Sequence, residues 1–137
     1  MDLLSKLKSV QILLVDDDKW IRDSLSIFFE SEGCHLTALE TAEEAMEALK
    51  KQAYDIIIAD YRLPGMDGLE FLNQIQGSRP DAIKVLITAY RTPEVVCKAI
   101  RMGIRDFIDK PFTVEAIEEC LARLIKRMSL SSTFRSE

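Results

Sequence analysis

A chain of 137 residues holds one domain with a real core and is too short for two. Apolar residues at 47% and charged residues at 30% exclude a disordered or fibrous chain, and a net charge of −5 argues against direct nucleic-acid binding. No apolar run approaches the ~20 residues that span a bilayer, and the start, Met1-Asp2-Leu3-Leu4-Ser5-Lys6, lacks the apolar centre of a secretory signal.

Strand-like and helix-like segments then alternate five times. Residues 1–10 read as an N-terminal extension whose Leu3, Leu4 and Leu7 suit a short packed turn. Ile12-Leu13-Leu14-Val15 is an apolar run of the kind that forms a buried parallel strand. Lys19 to Glu32 follows as a helix, with Ile21, Leu25, Phe28 and Phe29 on one face and Gly33 as its stop. His35 to Leu39 reads as the second strand, and the lone histidine as structural. Thr41 with Glu44 is a capping-box signal for a helix that buries Ala42, Ala45, Met46 and Leu49.

Asp55 to Asp60 is the third strand. The turn-rich Leu63-Pro64-Gly65-Met66-Asp67-Gly68 leads into a helix with Leu69, Leu72 and Ile75 inward, ended by Gly77, Ser78 and Pro80. Lys84 to Thr88 is the fourth strand; Thr92-Pro93-Glu94 opens a helix through Met102, and Gly103 stops it. Asp106 to Asp109 is the fifth strand. The last helix runs about Val114 to Met128, with Val114, Ile117, Leu121, Leu124, Ile125 and Met128 facing inward. Residues 129–137, with four serines, read as a frayed tail or the start of a linker, which leaves 11–128 as the domain. Cys34, Cys97 and Cys120 are odd in number and lack metal-type spacing, so reduced thiols in a cytoplasmic protein are expected.

Strands separated by single helices imply right-handed crossovers and a parallel sheet covered on both faces, an α/β doubly wound fold. Asp16 and Asp17 close the first strand, Asp60 the third, Thr88 the fourth and Lys110 the fifth. Ligands of such sheets bind beyond the carboxyl ends of the strands, so these groups converge if the strands lie side by side. Adjacent carboxylates call for a cation, and hard oxygen donors suit magnesium. A carboxylate held beside a divalent ion is a competent nucleophile toward phosphorus. A lysine supplies a point charge for a phosphoryl group.

Leu14-Val15-Asp16-Asp17, Asp60-Tyr61-Arg62-Leu63-Pro64-Gly65-Met66-Asp67-Gly68, Leu86-Ile87-Thr88-Ala89 and Asp109-Lys110-Pro111-Phe112 together resemble the receiver domain of two-component response regulators, including the single-domain chemotaxis type. The resemblance covers about Gln11 to Met128 and implies a flavodoxin-like (βα)5 fold with a five-stranded parallel sheet in order 2-1-3-4-5. It implies that Asp60 accepts a phosphoryl group from a phosphohistidine on a sensor histidine kinase or phosphotransfer protein. It implies Mg²⁺, or Mn²⁺ in its place, held by Asp17, Asp60 and the backbone carbonyl of Arg62, with Asp16 acting largely through water. Thr88 and Lys110 would contact the phosphoryl oxygens, and the Lys110-Pro111 bond would be cis. Such a domain is a signalling module that catalyses its own phosphorylation and slow autodephosphorylation, not an enzyme with a separate substrate.

Phosphorylation adds roughly −1.5 to −2 charge and three acceptor oxygens. In the family, Thr88 then moves toward the new group and the aromatic residue three positions before the lysine, here Phe107, turns inward to fill the vacated space. Phenylalanine has no hydroxyl, so packing alone is expected to bias its two positions. The fourth helix, fifth strand and fifth helix would form the output or homodimer face toward an unspecified partner, with neither nucleic acid nor membrane bound directly. Arg91, Lys98, Arg101 and Arg105, set against Glu94 and Asp106, give that region a mildly basic patch.

Two rival readings remain at this point. A haloacid-dehalogenase-type phosphatase would use Asp16 as nucleophile and Asp18 as general acid/base, but lacks a later acidic strand end and leaves the Asp60 to Gly68 loop without a role. A receiver-like binding module would keep the fold and take no phosphate. Within the favoured reading, Arg62 and Tyr90 lie two residues after Asp60 and Thr88 and are long enough to restrict the hydrolytic water. An Arg62→Ala, Tyr90→Ala double variant is therefore expected to lose its phosphoryl group faster, measured as decay of the phosphorylated form; unchanged or slower decay contradicts this.

Overall fold

The computed structural model describes residues 10–31, 33, 35–78, 81–89, 91–104 and 106–135, the last nine of these by backbone only. The strands are β1 (Gln11–Val15), β2 (His35–Leu39), β3 (Ile56–Asp60), β4 (Ile83–Thr88) and β5 (Asp106–Asp109). They alternate with α1 (Lys19–Ser31), α2 (Ala42–Lys51), α3 (Gly68–Gln76), α4 (Pro93–Arg101) and α5 (Val114–Arg135). All pairings are parallel and the sheet order is β2-β1-β3-β4-β5, the order that the resemblance implies.

Alternate residues of the central strands serve opposite faces, since side chains of a strand alternate with period two. Leu13, Val15, Ile57, Ala59 and Leu86 pack under α2, α3 and α4. Ile12, Leu14, Ile56, Ile58, Val85 and Ile87 pack under α1 and α5. Both faces being dry, β1, β3 and β4 carry near-continuous apolar runs. Of the stripes read from the sequence, Leu25 and Phe29 on α1, Ala42, Ala45 and Leu49 on α2, and Ile117, Leu121, Leu124 and Ile125 on α5 are buried, while Ile21, Phe28, Met46 and Val114 are half-buried and the Met128 side chain lies outside the description. Phe71 and Cys120, which the sequence reading did not single out, are buried in the same clusters.

Local signals set the helix starts. Thr41 and Glu44 form the full capping box at α2, Asp67 caps α3 by accepting from the Glu70 N–H at 2.8 Å, and Thr92 caps α4 ahead of Pro93. Gly33 and Gly103 take positive φ values of 75° and 85° after α1 and α4. One boundary differs from the sequence reading: α5 continues to Arg135 instead of ending near Met128. No glycine or proline interrupts residues 129–135, so nothing local stops the helix there. The expected turn at Leu3, Leu4 and Leu7 lies outside the described residues.

Gly68, the first residue of α3, has a steric reason to be glycine. A Cβ there would overlap the backbone carbonyl oxygen of Asp60 and stand 2.8 Å from its carbon. The loop from Tyr61 to Gly68 closes on itself through the Gly68 N–H to Tyr61 carbonyl bond at 2.9 Å, which seats the helix start against the end of β3. Glycine to alanine in a helix normally stabilises by up to ~1 kcal/mol. Here Gly68→Ala is expected to destabilise by about 1–3 kcal/mol, the usual cost of overpacking; denaturant unfolding that finds the variant as stable as wild type contradicts the contact.

Candidate functional site

The sheet order brings β1, β3, β4 and β5 side by side with their carboxyl ends level. Asp60 aligns with Ile87 across the β3–β4 pair, and Thr88 with Asp109 across β4–β5. Backbone bonds extend the ladders beyond the strands: Asp16 N–H to Leu39 carbonyl, Tyr61 N–H to Ile87 carbonyl and Lys110 N–H to Thr88 carbonyl, at 3.0, 2.8 and 3.0 Å. The polar groups read from the sequence as strand ends are thus held by sheet hydrogen bonds. The Lys110–Pro111 bond is cis.

Carboxylate oxygens of Asp16, Asp17 and Asp60 lie within 4.8 Å of one another. Asp16 is fully buried, Asp60 is 5% exposed, and Asp17 faces solvent. The Lys110 ammonium donates to Asp60 Oδ2 at 2.9 Å and stands 3.2 Å from Asp16 Oδ2. That second approach lacks hydrogen-bond geometry, so Asp16 Oδ2 is buried at ion-pair distance yet accepts no hydrogen bond. Asp16 Oδ1 accepts from the Asp18 N–H at 2.8 Å.

The electrostatics follow from three acids facing one base. Burial pushes the Asp16 carboxyl above the ordinary aspartate range against the Asp18 backbone bond, and Asp60 repels it further. Burial also raises Asp60, although Lys110 and the Arg62 backbone N–H pull it down. Burial alone would lower Lys110; its hydrogen bond to Asp60 and the charges of Asp16 and Asp60 together outweigh that and raise it. One ammonium therefore leaves the cluster short of positive charge. The orphaned Asp16 oxygen and an all-oxygen donor set fit a hard divalent cation such as Mg²⁺.

Asp18 has a different job from the one the phosphatase reading gives it. Its side chain accepts from the Trp20 N–H at 2.9 Å and thereby caps α1. Arg62 is exposed, and Tyr90 and Arg105 lie outside the described residues. His35 is exposed at the start of β2, and among the described residues it joins no group that could hold a metal. Cys97 is exposed and Cys120 buried, neither in a disulfide among the described residues; Cys34 lies outside the described residues.

The contacts of two arginines, Arg22 and Arg91, escaped the sequence reading. Arg22 Nη1 donates to the Asp16 backbone carbonyl at 2.8 Å, pinning the β1–α1 loop that carries the acids. A cation in the first turn of a helix opposes the helix dipole, and that misplacement was its available signal. Arg91 sits over the Phe107 ring, 4.9 Å from its centroid. Packing alone therefore does not hold Phe107, contrary to expectation. Arg91 is also engaged with Asp109 at 3.1 Å, so the basic patch of the described residues reduces to the exposed Lys98 and Arg101.

The raised carboxyls have a consequence for stability without metal. A carboxyl whose pKa rises on folding favours the folded state below its unfolded value, and that contribution is lost as pH climbs through the folded pKa. At pH 7 the Asp16 charge therefore costs stability. Asp16→Asn, which keeps the Oδ1 acceptor, is expected to stabilise the metal-free domain at pH 7. The gain should vanish below the usual aspartate value of 3.8. Thermal unfolding at the two pH values checks this, and a destabilised variant at pH 7 contradicts it.

A family model for the response regulator receiver domain matches residues 12–122. The chain is 34% identical over 115 residues to the response regulator protein FleR of Pseudomonas aeruginosa, covering 84% of this chain and 24% of that protein. It is 32% identical over 106 residues to a cyclic di-GMP phosphodiesterase of Thermotoga maritima, covering 77% and 28%. The chain thus spans about a quarter of the length of these curated relatives. A CheY-like receiver domain structure from Methanospirillum hungatei superposes with a TM-score of 0.84 at 27% identity, covering 89% of this chain and 98% of that one. Neither rival reading is favoured: the family model that matches is that of the receiver domain, and the acidic cluster with its lysine is intact. Sheet order, strand-end chemistry and these likenesses agree, and the chain belongs to the response regulator receiver family of two-component signalling.

Proposed function

We propose that this receiver domain is switched by phosphorylation of Asp60, with the Lys110 ammonium at 2.9 Å from its carboxylate as the observation that carries the assignment. Asp60 Oδ attacks the phosphorus of a phosphohistidine on a sensor histidine kinase or phosphotransfer protein. The O–P bond forms as the N–P bond breaks, and the histidine nitrogen keeps the electron pair and takes up a proton. The domain supplies this chemistry itself, including slow hydrolysis of the product. Mg²⁺, when bound, neutralises charge between the carboxylates and the incoming group.

The chain's own residues do the rest. Asp16, Asp17, Asp60 and the Arg62 carbonyl form the cation site, with Mn²⁺ as an alternative occupant. Lys110 transfers its bond from the Asp60 carboxylate to a phosphoryl oxygen, and Thr88 donates a hydrogen bond to another. Movement of Thr88 frees space for Phe107, which carries the change to the face of α4, β5 and α5. That face meets the output partner or a second copy of the chain. Residues 11–128 form the receiver unit, 1–10 an extension and 129–137 a tail or linker that continues α5 as far as Arg135, in a cytoplasmic regulator. Arg62 and Tyr90 screen the phosphoryl group from water.

Incubation with Mg²⁺ and acetyl phosphate, followed by borohydride trapping and peptide mapping, tests the assignment. One phosphoryl group is expected at Asp60, and none in Asp60→Asn. A label at Asp16 supports the phosphatase reading, and an unlabelled chain supports a binding module that takes no phosphate.

A further inference from the structure

Arg91 stands in the β4–α4 loop, three residues beyond Thr88, and reaches across to β5 twice. Its guanidinium carbon lies 4.9 Å from the centroid of the Phe107 ring, and its Nη1 is 3.1 Å from Asp109 Oδ2. Asp109 precedes Lys110, whose N–H bonds the Thr88 carbonyl at 3.0 Å. The loop after Thr88 is thereby tied to the strand that carries both Phe107 and Lys110. Phe107 is half-buried and packs against the core under α2, α3 and α4, while the Arg91 side chain that contacts the ring is 45% exposed, so the ring spans from the core to a partly solvated guanidinium. The ring has no hydroxyl with which to anchor itself there; the guanidinium face supplies the anchor. Asp109 fixes the planar fork of the arginine, which lowers the side-chain entropy lost in stacking.

We propose that Arg91 is a positioning residue, a latch that holds Phe107 at the surface and so opposes occupation of the acidic site by a phosphoryl group. This rests on the reading of Asp60 as phosphoacceptor and Phe107 as the moving ring. An inward Phe107 must leave the guanidinium, so whatever the stacking contributes is lost on activation. An exposed ion pair alone contributes little; the contact with the ring makes the latch specific to one state.

Beryllium fluoride with Mg²⁺ serves as the phosphoryl mimic, its affinity read by calorimetry and the Phe107 ring by its NMR resonances, assigned through their loss in Phe107→Leu. Wild type is expected to bind with a shift of those resonances, and Arg91→Gln to bind about two- to fivefold more tightly, the range for an exposed cation–π contact. In a Phe107→Leu background, Arg91→Gln is expected to change nothing. Equal or weaker binding by Arg91→Gln, or the same gain without the ring, overturns the latch alone. Wild-type binding that leaves the Phe107 resonances in place overturns the switch reading and the latch with it, as does an absence of binding.

Discussion

The Lys110 ammonium is set between two carboxylates that water barely reaches, 2.9 Å from Asp60 and 3.2 Å from Asp16. Folding strips hydration from both acids, and their burial raises both carboxyl pKa values despite the lysine. Asp17 adds a third acid within 4.8 Å. One ammonium cannot balance three carboxylates, and the shortfall is a property of the sheet: β1, β3 and β5 place these groups where their strands end. The domain carries an electrostatic deficit at the carboxyl end of its sheet, of the kind that a hard divalent cation offsets.

Rigid surroundings keep the deficit in place. Asp16 is held by a ladder bond to β2, by the Asp18 N–H at its side chain and by Arg22 at its carbonyl. Asp60 is fixed from below by β1 and β4 and from the side by the start of α3, which approaches so closely that Gly68 has no room for a Cβ. Thr88 and Lys110 share a backbone hydrogen bond across β4 and β5, which ties the end of β4 to the strand that bears Phe107. The path that the proposed switch requires is thus short, a few residues along two neighbouring strands.

The five site residues were legible in the sequence because each terminates an apolar run, and in a parallel sheet the ends of adjacent strands converge with no knowledge of side-chain packing. Helix starts were legible for a similar reason: Thr41, Asp67 and Thr92 cap through bonds to residues only three positions away. What stayed hidden depends on non-local contact. Gly68 reads as the last residue of a turn-rich loop until the Asp60 carbonyl is seen against it. Arg91 reads as one member of a basic patch until the β4–α4 loop is folded onto Phe107 and Asp109. Lys84 reads only as the start of the fourth strand, and its burial, at 5% exposed, follows from the cover on both faces of β4. Residues 129–135 read as a serine-rich tail, although the absence of a helix stop outweighs their composition.

The relatives carry receiver-like segments in proteins named for different roles, a response regulator and a cyclic di-GMP phosphodiesterase among them, which fits an input device whose chemistry is separable from its output. The charge deficit at the strand ends is the claim on which the rest turns. Thermal unfolding during titration with MgCl₂ at constant ionic strength measures it most directly. A saturable rise in the unfolding midpoint, lost when Asp16 and Asp17 are both replaced by asparagine, is the predicted result. A midpoint that does not respond to Mg²⁺, or that rises equally in the doubly substituted chain, contradicts the account.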